Sequence, residues 1–474
     1  MTLDFTPRDR VSRIRRRLAH PVIDADGHLV EFMPMVIDCM REIAGDAVAE
    51  RFVEYRRSPF TSGGGHLPTR VFFGNPLGLD RMTALLPGLL YQRLEEIGLD
   101  FALLYPTSGL SVLSNPDDEL RQAAARALNT YYSRVFDEYR DRLEPVAVIP
   151  TFTPGEAVAE LDHAVGVLGL KAVVMSGVVP RSVRPDGTRA RWVDTLGHDS
   201  LYDYEPFWTR CVELGVVPAF HGIGYGWGSR VSQSNYVYNH LGNFAAAQEA
   251  VCRSLIMGGV PTRHPELRLS FLEGGVTWAA QLFADLLGHY EKRNHDAVQR
   301  FDPDRFDVAQ AAELFAEFAN GPLRGYQDRV DEGARPLGDA GVARYGMDDF
   351  AESGITGPDD IVEIFARQLG FGCEADDPLN ALAFDGALLP HGVHLNAMFA
   401  SDIGHWDVPD MREVLPEAWE LVDHGHLTEE NFADFACGNV VRMLTDMNPR
   451  FFEGTAVADG VRPYLRTSGE SPGT

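Results

Sequence analysis

Eight short apolar runs, separated by segments of helical pattern, constrain this chain more than any other feature. Strands are predicted near 22–27, 101–106, 145–150, 170–175, 216–221, 267–273, 370–374 and 395–401. Helical patterns fill 116–140, 154–168, 203–214, 240–259, 276–296 and 358–369 between them. Strand and helix alternating eight times predict an α/β fold with a parallel sheet closed on itself, a (β/α)8 TIM barrel. Val146-Ala147-Val148-Ile149-Pro150 and Leu170-Lys171-Ala172-Val173-Val174-Met175 are near-continuous apolar runs. Such runs suit strands covered by helices outside and packed side chains inside.

At 474 residues the chain is long for one compact domain, and the surplus falls in stretches that break the repeat. These are 29–100, with helical pieces and the Gly63-Gly64-Gly65 turn, then 176–202, read as loop, and 320–357. Long connections after barrel strands usually build the substrate pocket, so loop and helical insertions are expected on the active face. The barrel unit is expected over 21–455, after an N-terminal extension at 1–20 and before a tail at 456–474. From Ser468 that tail has the composition of disorder.

A formal charge of -27 argues against nucleic acid or an anionic membrane as partner, since both require a positive surface. It leaves open a small-molecule substrate and a homo-oligomer. The five cysteines are widely scattered, with no short spacing of a zinc knuckle or redox pair, so reduced thiols and a cytoplasmic location are expected. The Arg13-Ile14-Arg15-Arg16-Arg17 run has no apolar stretch after it, so no signal peptide is expected.

The chemistry-bearing residues gather at predicted strand ends. Val22-Ile23-Asp24-Ala25-Asp26-Gly27-His28 places a carboxylate and an imidazole two residues apart, on the same face of a strand. That pair suits a divalent ion such as zinc or manganese, although a capped turn would use the same residues. His221 ends Val217-Pro218-Ala219-Phe220-His221-Gly222, and Asp402 ends Met398-Phe399-Ala400-Ser401-Asp402. A packed histidine and a helix N-cap are the alternative roles for these two. Further along, the glycine-rich loop from Gly222 to Arg230 lacks the Lys-Ser/Thr ending of a phosphate loop. Trp227 and Arg230 are instead expected to contact substrate, with Arg230 anchoring a carboxylate. His405 is expected to touch substrate or support the site. At Cys373-Glu374-Ala375-Asp376-Asp377-Pro378 the acidic residues read as helix N-caps.

Taken in order, Asp26-Gly27-His28, His221, Ser401-Asp402-Ile403-Gly404-His405 and the segment Phe435–Leu444 resemble the amidohydrolase superfamily. The resemblance is to the branch containing aminocarboxymuconate-semialdehyde decarboxylase and γ-resorcylate decarboxylase, and it spans roughly 20–450. It implies that Asp26, His28, His221 and Asp402 hold one divalent metal ion, zinc first and manganese as the alternative, with Asp402 also handling a proton. Asp-x-His is a shorter version of the family's Glu-x-His pair. One departure matters. The sixth strand reads Leu269-Ser270-Phe271-Leu272-Glu273-Gly274-Gly275, so Glu273 stands where the family often has a histidine. Glu273 is therefore the candidate proton-transfer group, with an extra metal ligand or a structural ion pair as alternatives.

The expected function is a metal-dependent hydrolase acting on a small organic, cyclic or carboxylated substrate through an activated water. The first alternative is a metal-dependent non-oxidative decarboxylase. A ligand-binding barrel without turnover is the second.

Overall fold

The computed structural model describes residues 5–57, 78–183, 191–224, 227–335 and 348–466. The Gly63-Gly64-Gly65 turn and the tail from Ser468 lie outside the described residues. Among the described residues there are ten strands in chain order: β1 (Ile23–Leu29), β2 (Phe101–Pro106), β3 (Leu143–Val148), β4 (Ala172–Met175), β5 (Val179–Ser182), β6 (Arg191–Asp194), β7 (Pro218–Phe220), β8 (Leu269–Phe271), β9 (Leu369–Glu374) and β10 (Asn396–Ala400). Eight of them form one parallel sheet in the order β1-β2-β3-β4-β7-β8-β9-β10. With helices around it, this sheet is a nearly closed (β/α)8 barrel, and each of its strands overlaps a predicted apolar run.

Outward-facing aromatics fix the sheet to the helices. Phe220, Phe271 and Phe371, on the adjacent strands β7, β8 and β9, are fully buried, and their rings stack at 5.1 and 6.3 Å. Trp208 and Trp278, on helices Glu205–Leu214 and Thr277–Arg293, pack edge-on or tilted against them at 6.5 and 5.7 Å. Helix starts follow local chemistry. Asp117 caps Asp118–Phe136 by accepting from the Leu120 N–H, and Thr153 with Glu156 forms a capping box before Pro154–Leu161.

The seam between β10 and β1 closes through the residues just past β10. The Asp402 N–H donates to the Asp26 carbonyl at 3.0 Å, and the His28 N–H donates to the Ile403 carbonyl at 2.8 Å. Asp24, fully buried, clasps the same seam: its carboxylate accepts from the Ser401 N–H at 2.9 Å, from the Asp26 N–H at 3.2 Å and from the Ser401 hydroxyl. Burial pushes the Asp24 carboxyl up to about 6, against the opposing pull of those donors. Asp24→Ala leaves two buried N–H groups without an acceptor, at about 1–3 kcal/mol each. A loss of roughly 2–4 kcal/mol is expected, measurable as a lower urea midpoint, and a midpoint equal to wild type would exclude the clasp.

The insertions differ in part from expectation. Residues 29–100 carry the helical pieces expected, Met33–Ala44, Asp46–Arg57, Gly78–Leu85 and Pro87–Ile97. Residues 176–202, read as loop, contain the antiparallel hairpin β5–β6. Its anchor is Arg181, whose guanidinium binds the buried Asp194 carboxylate at 3.0 Å and the Tyr204 hydroxyl at 2.9 Å. Residues on both sides of the expected barrel unit also pack against it. Val11 and Ile14 of the helix Asp9–Arg15 are buried, as are Val457 and Val461. The segment that resembles the closing helix behaves as one: Asn439, buried, donates to the Ala397 carbonyl of β10 at 2.7 Å.

Candidate metal centre

Six side chains from four strand ends meet at the C-terminal mouth of the barrel: Asp26 and His28 from β1, His221 after β7, Glu273 after β8, and Asp402 and His405 after β10. Their placement depends on departures from regular strand geometry. In β1 the register against β2 slips by one residue between Asp24 and Gly27, a bulge that resets which side chains face inward. Gly27 is required there, because a Cβ would lie 2.5 Å from an Asp24 carboxylate oxygen. In β8, Ser270 and Leu272 face the barrel interior, so alternation would send Glu273 outward. Glu273 instead has φ 56° and Asp402 has φ 50°, left-handed conformations that a non-glycine residue rarely holds. Each costs on the order of 1 kcal/mol or more, and such strain gathers at functional sites.

Distances within the cluster are short. His28 Nε2 lies 3.4 Å from His221 Nε2, 3.3 Å from Glu273 Oε1, 3.4 Å from Asp402 Oδ1 and 3.5 Å from Asp26 Oδ1. Glu273 Oε1 is also 3.2 Å from His221 Nε2 and 3.5 Å from His405 Nδ1. His405 stacks on His28 with ring centroids 3.7 Å apart, and its Nδ1 is 2.7 Å from Asp402 Oδ1. Its Nε2 meets the Thr107 hydroxyl at 3.3 Å. His28, Asp26, His221 and Asp402 are all buried.

Burial and crowding oppose one another here. Burial, with the charge of His405 beside it, lowers His28 to about 3, so that imidazole is neutral. For Glu273, burial disfavours ionisation, but His221, His28 and His405 outweigh it and hold the carboxyl well below its usual range. Asp26 and Asp402 are pushed well above theirs, by burial first and then by the Glu273 charge, with His221 opposing this at Asp26. Three buried carboxylates cannot all ionise this close together without a cation.

The donor set fits a divalent metal ion. Atoms bound at about 2.0–2.2 Å to one centre lie roughly 3–3.5 Å from one another, which is the spacing of His28 Nε2 from donors of His221, Glu273, Asp26 and Asp402 and of Glu273 from His221; the donors fall into two overlapping groups, Asp26, His28, His221 and Glu273, and His28, Glu273, Asp402 and His405. Neither Asp26 carboxylate oxygen accepts a hydrogen bond, and neither does Glu273 Oε2, although all three atoms are buried. A neutral His28 is also the form an imidazole ligand requires.

The structure thus brings Asp26, His28, His221 and Asp402 together with Glu273 and His405. Glu273 differs from expectation in its surroundings: it touches three histidines and is spaced like a ligand. Arg230 and Trp227 form no hydrogen bond or ion pair with the cluster. Arg230 donates to the Gly242 carbonyl at 3.1 Å, and Trp227 packs beside Gly224. Asp377 caps the turn of helix after β9, as its sequence context suggests. Sequence reasoning missed Asp24 and Thr107, and also an aromatic tier beside His221. There Phe244 lies edge-on to His221 at 6.0 Å, and His240 bridges Phe244 and Trp406 at 5.5 and 5.8 Å. Asp24 had a signal, a second acid in an apolar strand start; Thr107 had none. A separate cavity of about 370 Å³, lined by residues that include Tyr202, Tyr204, Trp208 and Arg263, shares no residue with the cluster.

Among the described residues no helix is long and apolar enough to cross a membrane. No curated protein sequence matches the chain. Solved structures similar in fold include the amidohydrolase map2389c from Mycobacterium avium subsp. paratuberculosis K-10, at 17% identity, 90% of this chain, 100% of that one and a TM-score of 0.53. The 2,6-dihydroxybenzoate decarboxylase from Rhizobium matches at 14% identity, 90% and 99% coverage and a TM-score of 0.48. The dihydroxybenzoic acid decarboxylase from Polaromonas sp. JS666, with bound manganese and the inhibitor 2-nitroresorcinol, matches at 12%, with 90% and 97% coverage and a TM-score of 0.49. A family model described as amidohydrolase matches residues 23–321. The chain belongs to the amidohydrolase family.

Proposed function

We propose that this protein is a metal-dependent enzyme acting on a small organic substrate at the mouth of the barrel. The observation that carries the reading is the ligand-like spacing around His28, in two overlapping groups, Asp26, His28, His221 and Glu273, and His28, Glu273, Asp402 and His405, either of which would hold one divalent ion, zinc or manganese. When bound, such an ion polarises a substrate oxygen and lowers the pKa of a water to about 7. The chain's own groups manage the proton. Thr107 meets Nε2 of His405 and leaves Nδ1 facing Asp402 and Glu273. Burial opposes charge on His405, but Glu273 and Asp407 outweigh it and raise its pKa, which favours the protonated imidazole beside Asp402. Asp402 then serves as the group that exchanges a proton with substrate.

Two reactions suit these residues. Decarboxylation is the reaction in the names of two of the proteins similar in fold. Hydrolysis of a neutral ester, lactone or amide suits the charge of the site. The carboxylates of Asp26, Glu273 and Asp402 pair with histidines and, among the described residues, with no arginine or lysine, so a carboxylated substrate would depend on the bound ion and His405 for counter-charge. Protein stripped with a chelator and reloaded with one equivalent of zinc or manganese separates these readings. Metal-dependent CO2 release from hydroxybenzoates supports the first, and metal-dependent turnover of neutral lactones or esters supports the second. Elemental analysis showing no metal after reloading would overturn the metal-dependent reading itself.

A further inference from the structure

Of the acids that close β9, Asp377 caps the following turn, whereas Glu374 caps nothing. Where Glu374 points follows from the strand. Phe371 faces outward, stacked on Phe271 and edge-on to Trp278 at 5.5 Å. Alternation therefore turns Gly370, Gly372 and Glu374 toward the barrel axis. The two glycines agree: a Cβ at Gly370 would lie 2.6 Å from Met443, and one at Gly372 would lie 2.9 Å from Leu272, both side chains of the barrel interior. Glu374 is the next inward position, at the mouth, paired in register with Ala400 two residues before Asp402. Buried Asn380 pins this strand end, its amide donating to the Glu374 carbonyl at 2.7 Å.

The Glu374 carboxyl forms no hydrogen bond or ion pair among the described residues, and the side chain reaches solvent. Other acids stand round it: Glu273 after β8, Asp402 and Asp407 after β10, and Asp376 and Asp377 on its own turn. Enclosure by protein first, then the charges of Glu273, Asp407, Asp376 and Asp377, push its carboxyl up to about 8. A bound ion would offset the Glu273 charge and leave the other causes in place. Such a group is suited to giving protons away. It carries one at neutral pH, no partner holds it, and water restores it.

We propose that Glu374 is a catalytic acid, supplying the proton that a substrate held against the cluster needs as its bond breaks. The assignment rests on the metal-dependent reading of the site, with Asp402 working beside the ion and Glu374 on the solvent side. In hydrolysis, a water oxygen bonds to the carbonyl carbon and Asp402 takes the proton that the water sheds. The C–O or C–N bond breaks with its electron pair on the leaving atom, and that atom takes the Glu374 proton. In decarboxylation the C–C bond breaks, CO2 departs, and the carbon left with the electron pair takes the proton. Either way the Glu374 carboxylate is reprotonated from solvent.

Glu374→Gln keeps the size of the side chain but has no proton to give, and it is tested in the full chain loaded with manganese. The infrared difference spectrum of wild type against variant at pH 7 is expected to show one carboxylic-acid carbonyl band, which fades in the wild type at alkaline pH. Turnover is followed on the panel of hydroxybenzoates, neutral lactones and esters used for the reloading experiment. We expect kcat to fall by about 10² to 10⁴, with KM within a few-fold of wild type. The alkaline limb of the pH–rate profile should vanish, because activity that needs the protonated acid is present below its pKa and lost as pH rises through it. Metal content and melting temperature should match wild type, and Glu374→Asp, an acid one methylene shorter, should recover part of the lost rate. Absence of the band, or a Gln variant with wild-type kcat and an intact alkaline limb, overturns the proposal. A wild type with the band, one equivalent of metal and no turnover of any panel member overturns the proposed function instead, and the catalytic role with it.

Discussion

His221→Ala is expected to yield a folded barrel that binds a divalent ion more than about 100-fold more weakly. Losing a group that merely supports a ligand already costs about 10- to 100-fold, and His221 lies inside the cluster, 3.2 Å from Glu273 and 3.4 Å from His28. Turnover should fall to background with it. The fold should persist, because the imidazole follows β7 and the aromatic stack of Phe220, Phe271 and Phe371 is untouched. Elemental analysis after dialysis, alongside the far-ultraviolet spectrum, checks both halves of this expectation. A variant that keeps one equivalent of metal would remove His221 from the ligand set.

Glu273→Gln is the second large effect, and its three outcomes are distinct. The side chain keeps its size but loses the charge that three histidines face. We expect metal occupancy and activity to fall together, since Oε1 is spaced as a ligand is. A pure proton-transfer role would instead leave occupancy normal, lower kcat by about 10² to 10⁴ and remove one limb of the pH–rate profile. A purely structural ion pair would lower the melting temperature and leave kcat of the folded fraction within a few-fold of wild type. Normal occupancy combined with normal kcat would exclude Glu273 from the chemistry.

The barrel could be read from the sequence because a strand buried on both faces must be an unbroken apolar run, as Val146–Ile149 and Ala172–Met175 are. The cluster could be read for a related reason. A histidine or aspartate closing such a run, as His221 closes Val217–Phe220, stands out against the apolar residues before it. Backbone conformation was not legible. Nothing in Leu272-Glu273-Gly274 marks a left-handed glutamate, so Glu273 could be named while its direction could not. The same holds for the bulge at Asp24–Gly27. The hairpin β5–β6 escaped because strands of four residues show no period, and its buried Arg181 reads as a surface residue until Asp194 stands opposite. The helix Val308–Phe318 was missed as well, although Val308, Ala311, Ala312 and Phe315 recur at helical spacing and are its half-buried side chains.

The clasped seam between β10 and β1 also governs when the cluster can exist. Asp26 and His28 leave the ribosome long before Asp402 and His405, which lie far along the same chain. An unfinished chain would offer an ion one carboxylate and one imidazole from a single strand, a weak chelate exchanging freely with solvent. The full set appears only once Ser401 has reached Asp24 and the Asp402 N–H has reached the Asp26 carbonyl. An ion held by this set would therefore bind a barrel whose seam is already closed, and a chain folded without metal is expected to take up its ion afterwards.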